Sequence, residues 1–250
     1  MFLILKSERK QIIVDRLSQD NIVTLDALVD MLGTSESTVR RDLDELENEK
    51  KLKRVHGGAE RAHSLQEELS NLQKSIKNVQ EKAAIAQKAG TLIEEADVIF
   101  IDAGTTTELL LQYLQQKELT VVTNSIHHAS KLVENDIKTL VIGGFVKNVT
   151  DASIGRFAIE QIHQLNFDKA FIGMNGVDES YFTTPDIEEA AVKKAIMDNA
   201  DQVFVLADAS KLDQTSFVKV DRLEKGSLIT NRSNSPLVEQ IKKKTKVIEV

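Results

Sequence analysis

Residues 35–43 read Ser35-Glu36-Ser37-Thr38-Val39-Arg40-Arg41-Asp42-Leu43, and the reading of this stretch decides the N-terminal fold. Val39, Leu43 and Leu46 recur at i, i+4 and i+7, one face of an α-helix. At about 100° per residue, Ser37, Arg41 and Asp44 lie opposite that stripe, with Thr38 and Arg40 on its flanks. Both arginines therefore point away from a core. Ser35 is placed to cap the helix start. Upstream, Leu25, Leu28, Val29 and Leu32 form a second apolar face. Thr24 is its N-cap, Val23 and Leu28 a hydrophobic staple, and Gly33 its stop. Ile12, Ile13 and Leu17 give residues 6–17 helical spacing as well. Three short helices with a tight turn before the third form a helix-turn-helix pattern, whose last helix can enter a DNA major groove. Downstream, Leu52 to Ala59 alternates and contains Gly57-Gly58, which predicts a short hairpin wing.

The formal charge of −7 over 250 residues argues against nucleic acid when taken whole. Its distribution argues the other way. Residues 1–62 carry 11 basic and 12 acidic side chains, and Lys50 to Arg61 holds five basic residues against one acid. Such a stripe suffices to neutralise a few phosphates. Arg40 and Arg41 suit guanine edges, Ser35, Ser37 and Thr38 suit phosphates or bases, and Lys53, Arg54 and His56 suit phosphates. A three-helix protein-interaction domain with a solvated arginine pair would use the same residues. With no cysteine, disulfides and thiol chemistry are excluded, which fits a reducing cytosol. There is no run of about 18 apolar residues, and Met1 to Leu5 is too short for a signal peptide. A cytoplasmic chain without a membrane partner is expected.

Residues 60–80 are polar and lack Pro and Gly. They predict a linker helix over 63–80, between a DNA-binding domain at 1–62 and an α/β domain at 81–250. A helix from Glu67 to Leu92 would be the lever between the two. From residue 81, apolar strand-like runs alternate with helical segments. The predicted strands are 98–102, 119–123, 139–143, 169–173, 203–207, 227–230 and 246–250. The helices are near 81–94, 105–116, 125–134, 155–164, 186–199 and 235–243. Strand, helix, strand in series implies a mostly parallel sheet covered on both faces, with ligands at the carboxyl ends of its strands.

Polar clusters follow those strands. Asp102-Ala103-Gly104-Thr105-Thr106-Thr107 ends the first strand and opens a helix, with a glycine for close backbone approach and hydroxyls for a phosphate or sugar. A merely capped helix reads the same way. There is no Gly-Lys-Ser/Thr, so this is no Walker-type nucleotide loop. Thr123-Asn124-Ser125, then Gly143-Gly144 with Asp151-Ala152-Ser153, Asn175-Gly176-Val177-Asp178 and Asp208-Ala209-Ser210-Lys211 end later strands. Together they predict a pocket, with Lys211 as phosphate counter-ion. His127 and His128 point apart on their helix, so one packs and the other is solvated. No metal and no cofactor is expected.

The spacing Arg9, Ile13, Leu17, Ser35, Thr38-Val39-Arg40-Arg41-Asp42-Leu43, with the Arg54-Val55-His56-Gly57-Gly58-Ala59 wing, resembles the DeoR-type family of bacterial transcriptional repressors. The Asp-x-Gly-Thr-Thr loop, Thr-Asn-Ser, Gly-x-Asn-Gly-Val-Asp, Thr184-Pro185-Asp186-x-Glu188-Glu189-Ala190 and Asp208-x-Ser210-Lys211 resemble the effector domain of that family. That domain is similar to ribose-5-phosphate and glucosamine-6-phosphate isomerases. The resemblance implies a winged helix-turn-helix repressor that binds double-stranded operator DNA as a dimer or tetramer and is released by a phosphorylated sugar. It implies an effector site drawn from Asp102, Gly104, Thr105, Thr106, Thr107, Asn124, Ser125, Asp151, Ser153, Asn175, Gly176, Glu189 and Lys211. Lys147 stands where relatives commonly have arginine. The Lys6-Ser7-Glu8-Arg9-Lys10 opening most resembles fructose-operon repressors, which implies fructose 1-phosphate; tagatose, galactitol or glycerol phosphates are the alternatives. A sugar-phosphate isomerase with an added domain is the rival reading. Such enzymes carry Asp-Gly-Ala-Asp-Glu where this chain has Asn175-Gly176-Val177-Asp178-Glu179, and an amide cannot take up the proton that isomerisation moves. The expectation is a switch and not an enzyme.

Overall fold

The structure is a computed structural model that describes residues 4–20, 22–49, 51–61, 65–66 and 68–250, and all elements and counts refer to these residues. Lys50, Glu67 and the expected domain boundary at residue 62 lie outside them. The chain divides into two compact units, Met1–Ser64 and Leu65–Val250.

In the first unit α1 (Lys6–Asp20), β1 (Ile22–Thr24), α2 (Leu25–Leu32), α3 (Glu36–Asn48), β2 (Leu52–Val55) and β3 (Gly58–Arg61) follow one another. The expected caps are in place. The Thr24 hydroxyl accepts from Ala27 N at 3.3 Å and the Ser35 hydroxyl from Thr38 N at 3.3 Å. Each such cap stabilises its helix by about 1 kcal/mol. Gly33 closes α2 at φ 58°, a left-handed conformation that costs glycine nothing. Ile13, Leu17, Leu28, Leu32, Val39, Leu43 and Leu46 form one core with Leu52 and Ala59 of the wing. The wing is three-stranded, in the order β1-β3-β2, because the three residues of β1 add an edge too short to show in the sequence. Arg9 and Asp42, two positions of the recognised pattern, face each other here. The Asp42 carboxylate is buried and accepts from Arg9 Nε at 2.8 Å and Nη2 at 3.2 Å, tying α1 to α3.

The second unit opens with α4 (Asn71–Ser75) and α5 (Val79–Gly90), then β4 (Val98–Ile101), α6 (Thr105–Leu110), β5 (Thr120–Thr123), α7 (Ile126–Glu134) and β6 (Lys138–Val141). A hairpin of β7 (Phe145–Lys147) and β8 (Ala152–Ile154) precedes α8 (Arg156–Ile162) and β9 (Phe167–Gly173). Then come β10 (Gly176–Val177), β11 (Tyr181–Thr184), α9 (Ile187–Asp198), β12 (Ala200–Leu206), β13 (Val218–Arg222), β14 (Ser227–Thr230), α10 (Pro236–Ile241) and β15 (Val247–Glu249). Seven strands form a sheet in the order β15-β14-β12-β9-β4-β5-β6, and every pairing is parallel. Alternate residues serve opposite faces. Ile99, Ile101, Val121, Phe171 and Phe204 pack under α5, α6 and α7. Phe100, Val122, Ala170, Ile172 and Val205 pack under α8, α9 and α10. Burial on both faces is why these strands read as continuous apolar runs.

A single linker helix over 63–80 is not what the chain forms. Residues 68–70 are not helical, Ser70 caps the five-residue α4 with a capping box, and Asn78 at φ 51° separates α4 from α5. The polar side chains of this stretch are engaged by the rest of the unit. Asn71 Nδ2 donates to Thr150 O at 2.7 Å and Asn78 Nδ2 to Asp208 Oδ1 at 2.9 Å. Tertiary hydrogen bonds outweigh a weak helical preference here.

Candidate functional site

On α3 the structure presents Ser35, Ser37, Arg40 and Arg41 exposed and Thr38 partly buried. The Ser35 hydroxyl lies 3.0 Å from that of Ser37 and 2.9 Å from that of Thr38. Arg40 pairs with Glu36 one turn earlier at 2.5 Å, while Arg41 has no side-chain partner among the described residues. On the wing, Lys53 pairs with Glu60 at 3.0 Å, Arg54 pairs with Asp44, and His56 sits exposed at the turn. Exposed pairs of this sort are worth under about 1 kcal/mol, so a phosphate can displace them. The candidate DNA contacts thus share one unit, and Arg41 is the cation there that needs no release.

In the second unit the chain runs β4, β5, β6 outward and then returns to place β9 on the other side of β4. The crevice between the carboxyl ends of β4 and β9 is the topological switch point where ligands of open α/β sheets bind. Asp102 follows β4 and is buried. Its carboxylate accepts from Lys193 and, at 3.2 Å, from Gly173 N at the end of β9. Burial works against the charge of Lys193, but the carboxylates of Asp102 and Glu189 raise its ammonium above the ordinary range. Glu189 accepts from the Thr150 hydroxyl at 2.5 Å and pairs with Lys147 at 3.2 Å. Lys147 also pairs with Glu68 and, at 2.9 Å, with Asp186. Asn175 accepts from the Thr184 hydroxyl at 3.0 Å. Gly176 is required where it stands, since a Cβ there would come within 2.3 Å of Gln214 O.

Next to β4, Asn124 Oδ1 accepts from Ala103 N at 2.9 Å and so holds the Gly104 loop. Ser125 caps α7 and donates to Asp151 at 3.2 Å; Asp151 also accepts from His127 N at 2.8 Å. Ser153 lies buried on β8, its backbone N donating to Asn124 O at 2.7 Å. Thr107 turns back, its hydroxyl donating to Gly104 O at 2.8 Å, whereas the hydroxyls of Thr105 and Thr106 have no partner among the described residues. His128 is buried and His127 exposed, with His127 Nε2 3.2 Å from Glu108. Burial pushes the His128 imidazole down to about 4, so it is neutral at pH 7.

Lys211 ends a 3-10 turn, Ala209–Lys211, just after β12, and its ammonium has no partner among the described residues. The polar strand ends thus converge from β5, β4, β9 and β12, four neighbours in the sheet. Two residues escape the sequence reading. Lys193 is buried, and its signal was the i, i+4 pair of Glu189 and Lys193 among the small and apolar residues of α9. Lys74 on α4 carries an ammonium without a partner among the described residues, and burial pushes it down to about 8. Nothing in its polar surroundings marks it in the sequence.

A helix-turn-helix unit with an outward arginine, joined to an α/β unit with a polar crevice at its switch point, defines a DNA-binding regulator with a sensor domain. The chain belongs to the DeoR family. The DeoR-like helix-turn-helix domain matches residues 9–65 and the DeoR C-terminal sensor domain residues 77–232. The chain is 39% identical over 97% of its length to the HTH-type transcriptional regulator FruR of Bacillus subtilis, covering 98% of that protein. It is 34% identical to the transcriptional repressor GlcR of the same organism, over 91% of this chain and 89% of that one. It is 32% identical to the lactose phosphotransferase system repressor of Staphylococcus aureus, over 98% of this chain and 99% of that one. Among solved structures, ribose 5-phosphate isomerase A of Methanocaldococcus jannaschii superposes with a TM-score of 0.42 at 19% identity, covering 54% of this chain and 55% of that one. That likeness is distant and says nothing of activity.

Proposed function

We propose that the chain is a repressor released from its operator by a phosphorylated sugar bound at the carboxyl ends of β5, β4, β9 and β12. One observation supports this best: around the switch-point crevice, Lys211 and the Thr105 and Thr106 hydroxyls have no partners among the described residues. A phosphate takes an ammonium and several hydroxyl donors; sugar hydroxyls suit the amide of Asn175 and the carboxylate of Glu189. Ser35, Ser37, Thr38, Arg40 and Arg41 face the bases and backbone of the operator, with Lys53, Arg54 and His56 on phosphates. Paired half-sites call for a homo-oligomer. Fructose 1-phosphate is the favoured effector, because the Lys6–Lys10 opening resembles fructose-operon repressors and a relative carries the name FruR.

The chain acts as a switch. Asp178 is engaged by Ser180 N and Tyr181 N, Asp186 by Glu189 N and Lys147, and Glu189 by Thr150 and Lys147. Those three carboxylates are held in structural bonds, which favours the switch reading over the isomerase one. The test is thermal shift of the full chain against fructose 1-phosphate, tagatose, galactitol and glycerol phosphates and the unphosphorylated sugars. An effector at 100 times its Kd adds about 2.7 kcal/mol, a rise of roughly 5–10 °C. A shift with unphosphorylated fructose equal to that with its phosphate would overturn the reading.

A further inference from the structure

The seven-stranded sheet has two edges, and they are built differently. At one, β15 follows Lys246 and ends on Glu249, which pairs with Lys242 at 2.8 Å. Val247, Ile248 and Val250 pack against the two cores. A short, covered strand with charges beside it is a protected edge. At the other edge, β6 carries one charge, Lys138 at its first residue. It pairs with β5 on its inner side, and its outer side has no strand partner among the described residues. Leu140 and Val141 are exposed on this bare edge.

Apolar side chains continue from that strand on both faces of the sheet. Val141 stands beside Thr123 on the α7 face, and Leu140 beside Val122 on the α8 face. On the α7 face, Leu132 packs into the core while the next residue, Val133, is exposed. Ile137 N bonds Leu132 O at 3.1 Å, which sets Val133 at the turn into β6. On the α8 face, Gln161 clamps the end of the strand. Its Oε1 accepts from Gly143 N and its Nε2 donates to Gly143 O, each at 3.1 Å, and Nε2 also donates to Phe157 O at 2.7 Å. Phe157 is exposed on the first turn of α8. Phe145 joins it there, since a Cβ on Gly155 would stand 3.9 Å from its ring. These five side chains, Val133, Leu140, Val141, Phe145 and Phe157, are 42% to 76% exposed. They bare on the order of 500 Å² of apolar surface, near the largest patch a monomer usually shows. Against a second copy the pair would bury about twice that, roughly two-thirds of a standard interface of about 1,600 Å² and close to the apolar share of homodimer contacts.

We infer that β6, with Val133, Leu140, Val141, Phe145 and Phe157 around it, is the face on which a second copy of this chain docks, the two β6 strands pairing antiparallel across a two-fold axis. This rests on the homo-oligomer reading above and gives it a surface. A two-fold interface must be self-complementary. An open edge strand meets that condition, because its free N–H and C=O groups match those of its own copy run in reverse. A bare apolar edge would pair with any strand it met, and a permanent cover removes that hazard. The chain supplies one recognition helix, α3, so paired half-sites bring a second copy to the same operator.

The experiment is sedimentation equilibrium of the full chain at micromolar concentrations, with a disulfide test beside it. Wild type should be a dimer or a multiple of one. Leu140→Asp and Phe157→Asp should each halve that mass. They should weaken the self-association at least about a hundredfold, because each substitution enters a two-fold interface twice. Phe217→Asp, at an exposed residue of the loop before β13, should leave the mass unchanged. The chain has no cysteine, so a single introduced one reports without background. Of Thr139→Cys, Leu140→Cys and Val141→Cys, at least one should link two copies on oxidation, since facing residues of antiparallel strands come within disulfide reach. Phe217→Cys should not link. These smaller changes hold the test open should an aspartate variant fold poorly. Wild-type mass in both aspartate variants, with no link from any β6 position, would overturn the inference and leave the homo-oligomer reading standing on another surface. A monomeric wild type would overturn both and give the face to a different protein.

Discussion

The two units treat polar side chains in opposite ways. On α3 the candidate contacts are displayed at the surface, held by caps and exposed ion pairs, and Arg41 has no side-chain partner among the described residues. At the sheet ends most candidates are buried and already bonded, as in Asp102 with Lys193 or Asn124 with Ala103 N, and only a few groups stand spare. The difference follows from the partners. DNA is a large, stiff polyanion that can meet only a protruding surface, and it is read by side chains that arrive in the groove already extended. A small metabolite is enclosed, so its site must be rigid before it arrives, and rigidity in a buried polar site requires that nearly every group be bonded.

If that contrast is right, deletions in the sensor unit should cost stability and deletions on α3 should cost affinity. Asp102→Ala leaves the buried Lys193 ammonium without its nearest carboxylate. It should destabilise the sensor unit by about 3–5 kcal/mol, read as a lower urea midpoint. Asp42→Ala breaks the pair with the partly exposed Arg9 and should cost the first unit only about 1–3 kcal/mol. Equal losses would erase the distinction between the two cores.

Arg41→Ala should weaken binding to DNA selected from a random pool by about 10–100-fold, the worth of one bidentate base contact, with an unchanged melting temperature and an unchanged response to sugar phosphate. Arg40→Ala should do less, because Arg40 must first leave Glu36. A larger effect at Arg40 than at Arg41, in a gel-shift titration, would reverse the assignment on α3.

Lys211→Ala should leave operator binding intact and raise the sugar-phosphate concentration for half-release roughly tenfold. Release at the wild-type concentration would remove Lys211 from the site.

A further expected effect concerns pH. His128 is held neutral, down to about 4 against an ordinary value near 6.5. The unfolded chain therefore takes up a proton first as pH falls. The contribution is fully present above about 6.5 and is lost progressively as pH falls toward 4. Urea midpoints of the sensor unit between pH 7 and 4.5 should fall less steeply in His128→Asn than in wild type. Parallel curves would show that other groups carry the acid sensitivity.

Much of this was legible in the chain itself. The caps at Thr24 and Ser35, the stop at Gly33, the arginines opposite Val39, Leu43 and Leu46, and the alternating apolar and helical runs after residue 81 are local signals, and the elements formed where those signals stood. The polar strand ends were legible because each follows directly on an apolar run. The β7–β8 hairpin and the small sheet of β10, β11 and β13 were not, since they lack the continuous apolar runs that marked the strands of the main sheet. The break at Asn78 was equally hidden, because its cause is a hydrogen bond to Asp208, 130 residues away.

The sequence by itself determined the two kinds of unit, the outward face of α3 and the strand ends that carry polar groups, all of which depend on periodicity and neighbouring residues. Only the tertiary structure decided which of those polar groups are consumed. Lys193 satisfies Asp102, Lys147 gathers Glu68, Asp186 and Glu189, and among the described residues Lys74, Lys211 and one oxygen of Glu68 are left over. Pairing of buried charges is a matter of distance in space, and a chain that folds into a parallel sheet brings its strand ends together from positions far apart in sequence.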